Sequence, residues 1–262
     1  MSETAQLILA GLGVGFMVGL TGVGGGSLMT PILVLFFGHV PGTAVGTDLF
    51  FASATKVAGT AVHHQHNSVN WKVVKLLVSG SAPASLLMLL FLWATHAAAT
   101  KGGLVMAVLG TLIIVTGAQT AGLIRLGLPA GDKSDLGIRF PLLTVGVGAL
   151  LGTLVTLTSI GAGALGMVLI RILYPKTLNT SSLVGTDLAH AIPLTLLAGT
   201  GYLGMGHVEL PTLGWLLVGS LPGVIIGSFL PSRLQDATVR KFLGILLMVV
   251  GTKTLASVLP FG

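Results

Sequence analysis

The chain contains no cysteine among its 262 residues, which excludes disulfides, thiolate metal sites and thiol catalysis. Charge is nearly as scarce. Asp, Glu, Lys and Arg make up 8% of the residues, against about a quarter in a soluble domain, so the chain lacks the groups that would cover a water-facing surface of its size. Its carboxylates are few: Glu3, Asp48, Asp132, Asp135, Asp187, Glu209 and Asp236. Neither G-x-S-x-G nor H-E-x-x-H occurs. An intramembrane hydrolase would have to pair Ser159 or Ser181 with His190. No further motif supports one, and the chain reads as a non-enzyme with no cofactor.

What the sequence does have is apolar length. Hydrophobic residues reach 53% and the mean hydropathy is +0.98, so lipid is its natural solvent. The net charge of +6 does not imply nucleic acid, because the basic residues are scattered through loops and helix ends rather than clustered with aromatics. Residues 5–21 lack a preceding basic stretch and a clear cleavage site, and read as a first span rather than a removed signal. Ten apolar segments follow one another, roughly 5–21, 27–37, 43–62, 71–94, 102–121, 139–158, 163–173, 182–201, 210–230 and 238–258. Most are long enough to cross about 30 Å of hydrocarbon at ~1.5 Å per residue. The second and seventh are half that length, and each follows a glycine-rich loop.

Those two short segments hold matching places in a repeat. Thr21-Gly22-Val23-Gly24-Gly25-Gly26-Ser27-Leu28 parallels Thr158-Ser159-Ile160-Gly161-Ala162-Gly163-Ala164-Leu165. Val45-Gly46-Thr47-Asp48-Leu49 parallels Val184-Gly185-Thr186-Asp187-Leu188, and Leu77–Pro83 parallels Leu216–Pro222. Five segments per copy is odd, so the second copy should enter the membrane inverted. The positive-inside rule agrees. With ten crossings one face collects Lys72, Lys75, Arg125, Lys133, Arg139, Arg171, Lys176, Arg233, Arg240 and Lys241, the other only Lys101 and Lys253, with Lys56 inside a span. Re-entrant hairpins would keep the same parity. The expected fold is thus an all-α polytopic membrane protein. Residues 1–121 form a first repeat, about 122–138 a polar cytoplasmic linker and 139–262 an inverted second repeat, with both termini outside the cytoplasm of a bacterial inner membrane.

Paired, glycine-interrupted short segments in corresponding halves point to a transporter's binding site. A helix start presents free N–H donors and partial positive charge, and glycine lets a small anion reach the backbone. The candidate substrate-binding residues are Thr21, Gly22, Gly24, Gly25, Gly26 and Ser27 in the first loop, and Thr158, Ser159, Gly161 and Gly163 in the second. Lys56 lies on the helical face of Asp48 two turns on, able to pair with it or to attract an anion. Asp48, Asp187 and His190 are candidates for proton coupling, or for helix capping in the case of the two carboxylates. Close helix packing is the other reading of the glycines, and it is the preferred one for Gly11, Gly15 and Gly19 and for Gly219, Gly223 and Gly227. His63, His64 and His66 have a spacing that can hold a divalent metal, but no carboxylate stands nearby, and no metal site is assigned. Gly161–Gly166 fits G-x-G-x-x-G, yet a dinucleotide site needs a strand before the glycines, which membrane helices do not supply.

The residues Gly15–Gly26, then Pro31, then Ala44-Val45-Gly46-Thr47-Asp48, resemble the sulfite exporter TauE/SafE-type family of membrane transporters, and Thr158–Gly223 repeats the pattern more loosely. The resemblance implies a secondary transporter of a small sulfur-containing anion such as sulfite, sulfoacetate or another organosulfonate. It maps the family's glycine motif to Gly22–Ser27 and its G-T-D motif to Gly46–Asp48. The partners implied are a small anion and the lipid bilayer, with a homo-oligomer left open and no nucleic acid. A divalent-metal permease using the histidines and a non-transporting membrane scaffold are the alternatives.

Overall fold

The computed structural model describes residues 2–21, 26–63, 69–96, 103–124, 141–160, 163–229 and 237–256. Among them are ten helices and no strand: α1 (Glu3–Thr21), α2 (Gly26–Leu35), α3 (Pro41–His63), α4 (Trp71–Thr95), α5 (Gly103–Thr120), α6 (Pro141–Thr158), α7 (Ala164–Leu173), α8 (Thr180–Gly204), α9 (Leu210–Phe229) and α10 (Ala237–Ala256). Apolar runs in lipid have no water to satisfy their backbone, so they close their hydrogen bonds within the helix. Polar residues set the boundaries. Asn70 Oδ1 accepts from Val73 N at 3.3 Å and Asn179 Oδ1 from Ser182 N at 2.8 Å, capping α4 and α8, while Pro41 and Pro141 open α3 and α6 without wasting a donor.

The distribution of polarity suits a bilayer. Leu87 is 68% and Leu142 82% exposed, as are Leu90, Phe91, Leu150, Ile226 and Val249 to lesser degrees, whereas Asp48, Lys56, Asp187, His190 and sixteen of the described Ser and Thr residues are buried. Among the described residues, four helices are long and apolar enough to cross a membrane: α4, α6, α8 and α9. On α4, Trp71 and Trp93 are both exposed. They sit near opposite ends, about 33 Å apart at ~1.5 Å per residue, where aromatic side chains mark the two membrane–water interfaces. Helices α2 and α7 have ten residues each, so they reach only about halfway, ~15 Å.

Helices pair across the two halves of the chain: α1 with α9, α4 with α6, α3 with α8, and α5 with α10. The first two pairs are built alike. A Cβ on Gly11 would lie 2.2 Å from the carbonyl oxygen of Leu216, and one on Gly148 would lie 2.2 Å from that of Leu77. Gly15 meets Ser220 and Gly152 meets Ser81, in each case 2.3 Å from the carbonyl oxygen. In the opposite direction Gly219 meets Ile8 and Gly80 meets Val145. Gly223 likewise abuts Leu12. These glycines let backbones touch, as small residues do at membrane helix interfaces.

Candidate functional site

Helices α3 and α8 cross at the centre and each carries Gly-Thr-Asp. In the first copy the three residues divide the work. Gly46 admits the backbone of the other half, since a Cβ there would fall 2.0 Å from the carbonyl oxygen of His207 and 2.8 Å from Cβ of Tyr202. Thr47 Oγ1 accepts a hydrogen bond from the backbone N–H of Glu209 at 3.0 Å, at the start of α9. Thr186 Oγ1 accepts from the N–H of Asn70 at 3.0 Å, at the start of α4. Each threonine therefore ties its own helix to the other half of the chain. Beside the Thr47 tie, His39 Nδ1 and Glu209 Oε2 lie 2.9 Å apart.

The carboxylates that follow point inward and are buried. Neither caps its own helix: α3 begins at Pro41 and α8 at Thr180 behind the cap Asn179, which places Asp48 and Asp187 well inside. That corrects the capping expectation for each residue's own helix. Asp48 instead reaches across to α2, where Oδ2 accepts from Thr30 Oγ1 at 2.5 Å and from Thr30 N at 3.2 Å. Ser159, from the break between α6 and α7, interacts with the same carboxylate, although its Oγ is outside good hydrogen-bond geometry. Asp187 has no such clasp among the described residues. Among the described residues its Oδ1 has no hydrogen-bond partner, nor do Asp48 Oδ1 and Ser159 Oγ.

Lys56 is 2% exposed and close enough to both carboxylates to act on their charge. It interacts electrostatically with Asp187 most strongly and then with Asp48, and it also acts on His190. Among the described residues it forms no contact ion pair, the single such pair being His39–Glu209. A buried ammonium without a close counter-ion has lost hydration that a small anion would restore. His190 Nε2 and Ser81 Oγ are 2.9 Å apart, and Ser85 Oγ and Thr156 Oγ1 2.7 Å, so hydroxyls of α4 and α6 line the same interior.

The candidate loops frame this centre to the extent that they are described. Thr21 ends α1, and Gly26 and Ser27 open α2; Gly22, Gly24, Gly25 and Gly161 lie outside the described residues. Thr158 ends α6 and its Oγ1 accepts from Ile160 N at 3.1 Å. Ser159 takes the left-handed conformation, φ 59°, and Gly163 precedes α7 at φ 147°, a conformation few residues but glycine adopt. Of the histidine cluster, His63 ends α3 and His64 and His66 are outside the described residues. No group of three or more metal-ligating side chains occurs among the described residues. Thr30, Ser81, Ser85 and Thr156 were not legible as site residues. The available signal was a hydroxyl inside an apolar span, which only matters once its partner across the bundle is known.

Residues 7–254 match the family described as Sulfite exporter TauE/SafE. The "Probable membrane transporter protein YjnA" of Bacillus subtilis is 36% identical over 258 residues, covering 95% of this chain and 99% of that protein. The "Probable membrane transporter protein YdhB" of the same organism is 28% identical over 85% of this chain and 88% of its own. A "Probable membrane transporter protein" of Xylella fastidiosa is 27% identical over 89% of this chain and 87% of its own. No solved structure matches. With the family matched over nearly the whole length and a buried polar centre inside an apolar helical shell, the chain belongs to the sulfite exporter TauE/SafE family and is a multi-pass membrane transporter.

Proposed function

We propose that the protein exports a small sulfur-containing anion, such as sulfite, sulfoacetate or another organosulfonate, across the bacterial inner membrane by alternating access. The reading rests above all on Lys56, a buried ammonium that interacts with carboxylates of both halves. Backbone N–H groups of Gly22–Ser27 and Gly161–Gly163 and the hydroxyls of Thr21 and Ser159 would complete the anion's shell, since Ser159 N, Ile160 N and the Thr158 hydroxyl are already bonded within the second break. The reciprocal contacts of α1–α9 and α4–α6 support two inverted repeats, and rocking one against the other would open the centre to each side in turn.

A thermal-stability panel on the purified protein tests the reading, because a ligand of the folded state raises the melting temperature by mass action. Sulfite, sulfoacetate, thiosulfate, sulfate, short carboxylates, nickel and zinc form the panel. A shift with a sulfur oxyanion or sulfonate, abolished in Gly25→Val or Ser27→Ala, is expected. A shift with metals alone would move the function to the histidines and overturn the anion reading.

A further inference from the structure

The two central carboxylates stand at equivalent positions but have unlike surroundings. Asp48 is clasped by Thr30 through both hydroxyl and backbone, with Ser159 beside it. In the register of the two glycine loops, Thr30 corresponds to Met167 and Ser159 to Gly22. A thioether is at best a weak acceptor, and glycine has no side chain, so neither the hydroxyl that clasps Asp48 nor the one beside it has a counterpart at the matching places of the second copy. The charge that acts on Asp187 is Lys56 from α3, which also interacts, less strongly, with Asp48. On its own helix His190 is turned to Ser81. The described buried polar residues of α4 and α6 near His190 are uncharged, Ser81, Ser85 and Thr156, and Arg171 of α7 is exposed.

We infer that Asp187 is the carboxylate that takes up and releases a proton with each anion carried, while Asp48 is a fixed anchor joining α2 to α3. The inference rests on the anion-transport reading above. An anion that binds Lys56 displaces Asp187 as the ammonium's principal counter-charge. An ionised Asp187 would then be buried without compensation, at a cost of several kcal/mol, unless a proton from the water on the side of entry joins it. With His190 counted as the neutral imidazole, the empty centre holds Lys56⁺, Asp48⁻ and Asp187⁻. The loaded centre holds Lys56⁺, Asp48⁻, protonated Asp187 and the anion. For a monovalent anion the total is the same in both states, so the loaded and empty centres carry equal charge through the bundle. On the far side the anion leaves, the proton returns to water, and Asp187 becomes the counter-charge of Lys56 again; export by this cycle is driven by the anion's own outward concentration gradient.

The test uses the full-length protein in liposomes, with the membrane potential clamped at zero and a labelled anion chosen by its stabilising effect. A gradient of one pH unit should drive accumulation on the alkaline side up to about tenfold in the wild type, the limit set by one proton per negative charge. In Asp187→Asn the inside-to-outside ratio should stay near one, whereas Asp48→Asn should still accumulate the anion but melt at a lower temperature. Met167→Thr keeps the carboxylate and gives it the hydroxyl that Asp48 has; it should slow gradient-driven accumulation severalfold, and it decides the matter if Asp187→Asn does not fold. Accumulation by Asp187→Asn at the wild-type ratio, or an unchanged rate in Met167→Thr, would overturn the inference, as would gradient-independent carriage by the wild type. In each of those cases anion transport itself would stand. A wild type that neither binds nor carries any anion of the panel would overturn the transport reading, and the inference with it.

Discussion

The two halves of the molecule agree where backbones touch and differ where side chains meet the centre. Gly11 against Leu216 and Gly148 against Leu77 give the same 2.2 Å approach for a would-be Cβ, and Thr47 and Thr186 accept the same bond from the start of the opposite half's long helix at the same 3.0 Å. At matching positions of the two copies, Thr30 corresponds to Met167, Phe51 to His190, Lys56 to Thr195 and Gly22 to Ser159. Steric contact tolerates no variation, because a methyl group placed on a carbonyl has nowhere to go. The interior positions carry no such constraint once one copy supplies a given group. The first half brings the ammonium and a clasped carboxylate. The second brings the imidazole, a carboxylate without a clasp and a serine in the left-handed conformation. A one-sided centre inside a two-sided skeleton follows, and it lets the two aspartates play different parts.

The sharpest way to break the agreement is at the glycine interfaces. Gly11→Val and Gly148→Val should each destabilise the protein near or beyond the upper end of the roughly 1–3 kcal/mol typical of overpacking, with melting temperatures lowered to a similar extent. A large effect at one position alone would mean that the paired interfaces are not equivalent. Next in size is the clasp. Thr30→Val removes the hydroxyl that bonds a buried carboxylate and should cost about 1–3 kcal/mol, while Met167→Leu at the matching place should cost under about 1.5 kcal/mol, both read by thermal unfolding. The smallest effects belong to the threonine ties, about 0.5–1.5 kcal/mol each. The chain has no cysteine, so a single Cys introduced at 209 or 70 reports opening directly. Thr47→Val should raise labelling at 209, and Thr186→Val at 70. Labelling that rises at both sites in each variant would indicate general loosening instead of separate ties.

Much of this architecture was legible in the sequence, because long apolar runs and glycine loops leave few choices in lipid. The short segments expected at 27–37 and 163–173 are α2 (Gly26–Leu35) and α7 (Ala164–Leu173). The spacing of Gly11 and Gly15, and of Gly219 and Gly223, signalled helix contact, and helix contact is what they make. The centre was legible in part. Asp48, Lys56, Asp187 and His190 stood out as polar residues within apolar spans, since such groups are costly in lipid. Sequence spacing related Lys56 to Asp48, two turns away on one helix, but not to Asp187, its stronger partner, because that contact depends on how α3 crosses α8. The same limit hid Thr30. An apolar run with one hydroxyl looks the same whether the hydroxyl bonds its own helix, as Thr195 does with Ala191, or reaches across to a carboxylate.

Counterflow of a labelled sulfur oxyanion or sulfonate into liposomes preloaded with the same anion tests most directly whether Lys56 is where the anion binds. Lys56→Met should reduce the flux on the order of a hundredfold, in line with the roughly 2–5 kcal/mol lost when one member of a buried charge pair is removed, while Thr195→Val, at the matching position of the second half, should stay within about twofold of the wild type. Flux through Lys56→Met at the wild-type rate, from protein of wild-type melting temperature, would contradict an anion site centred on this ammonium.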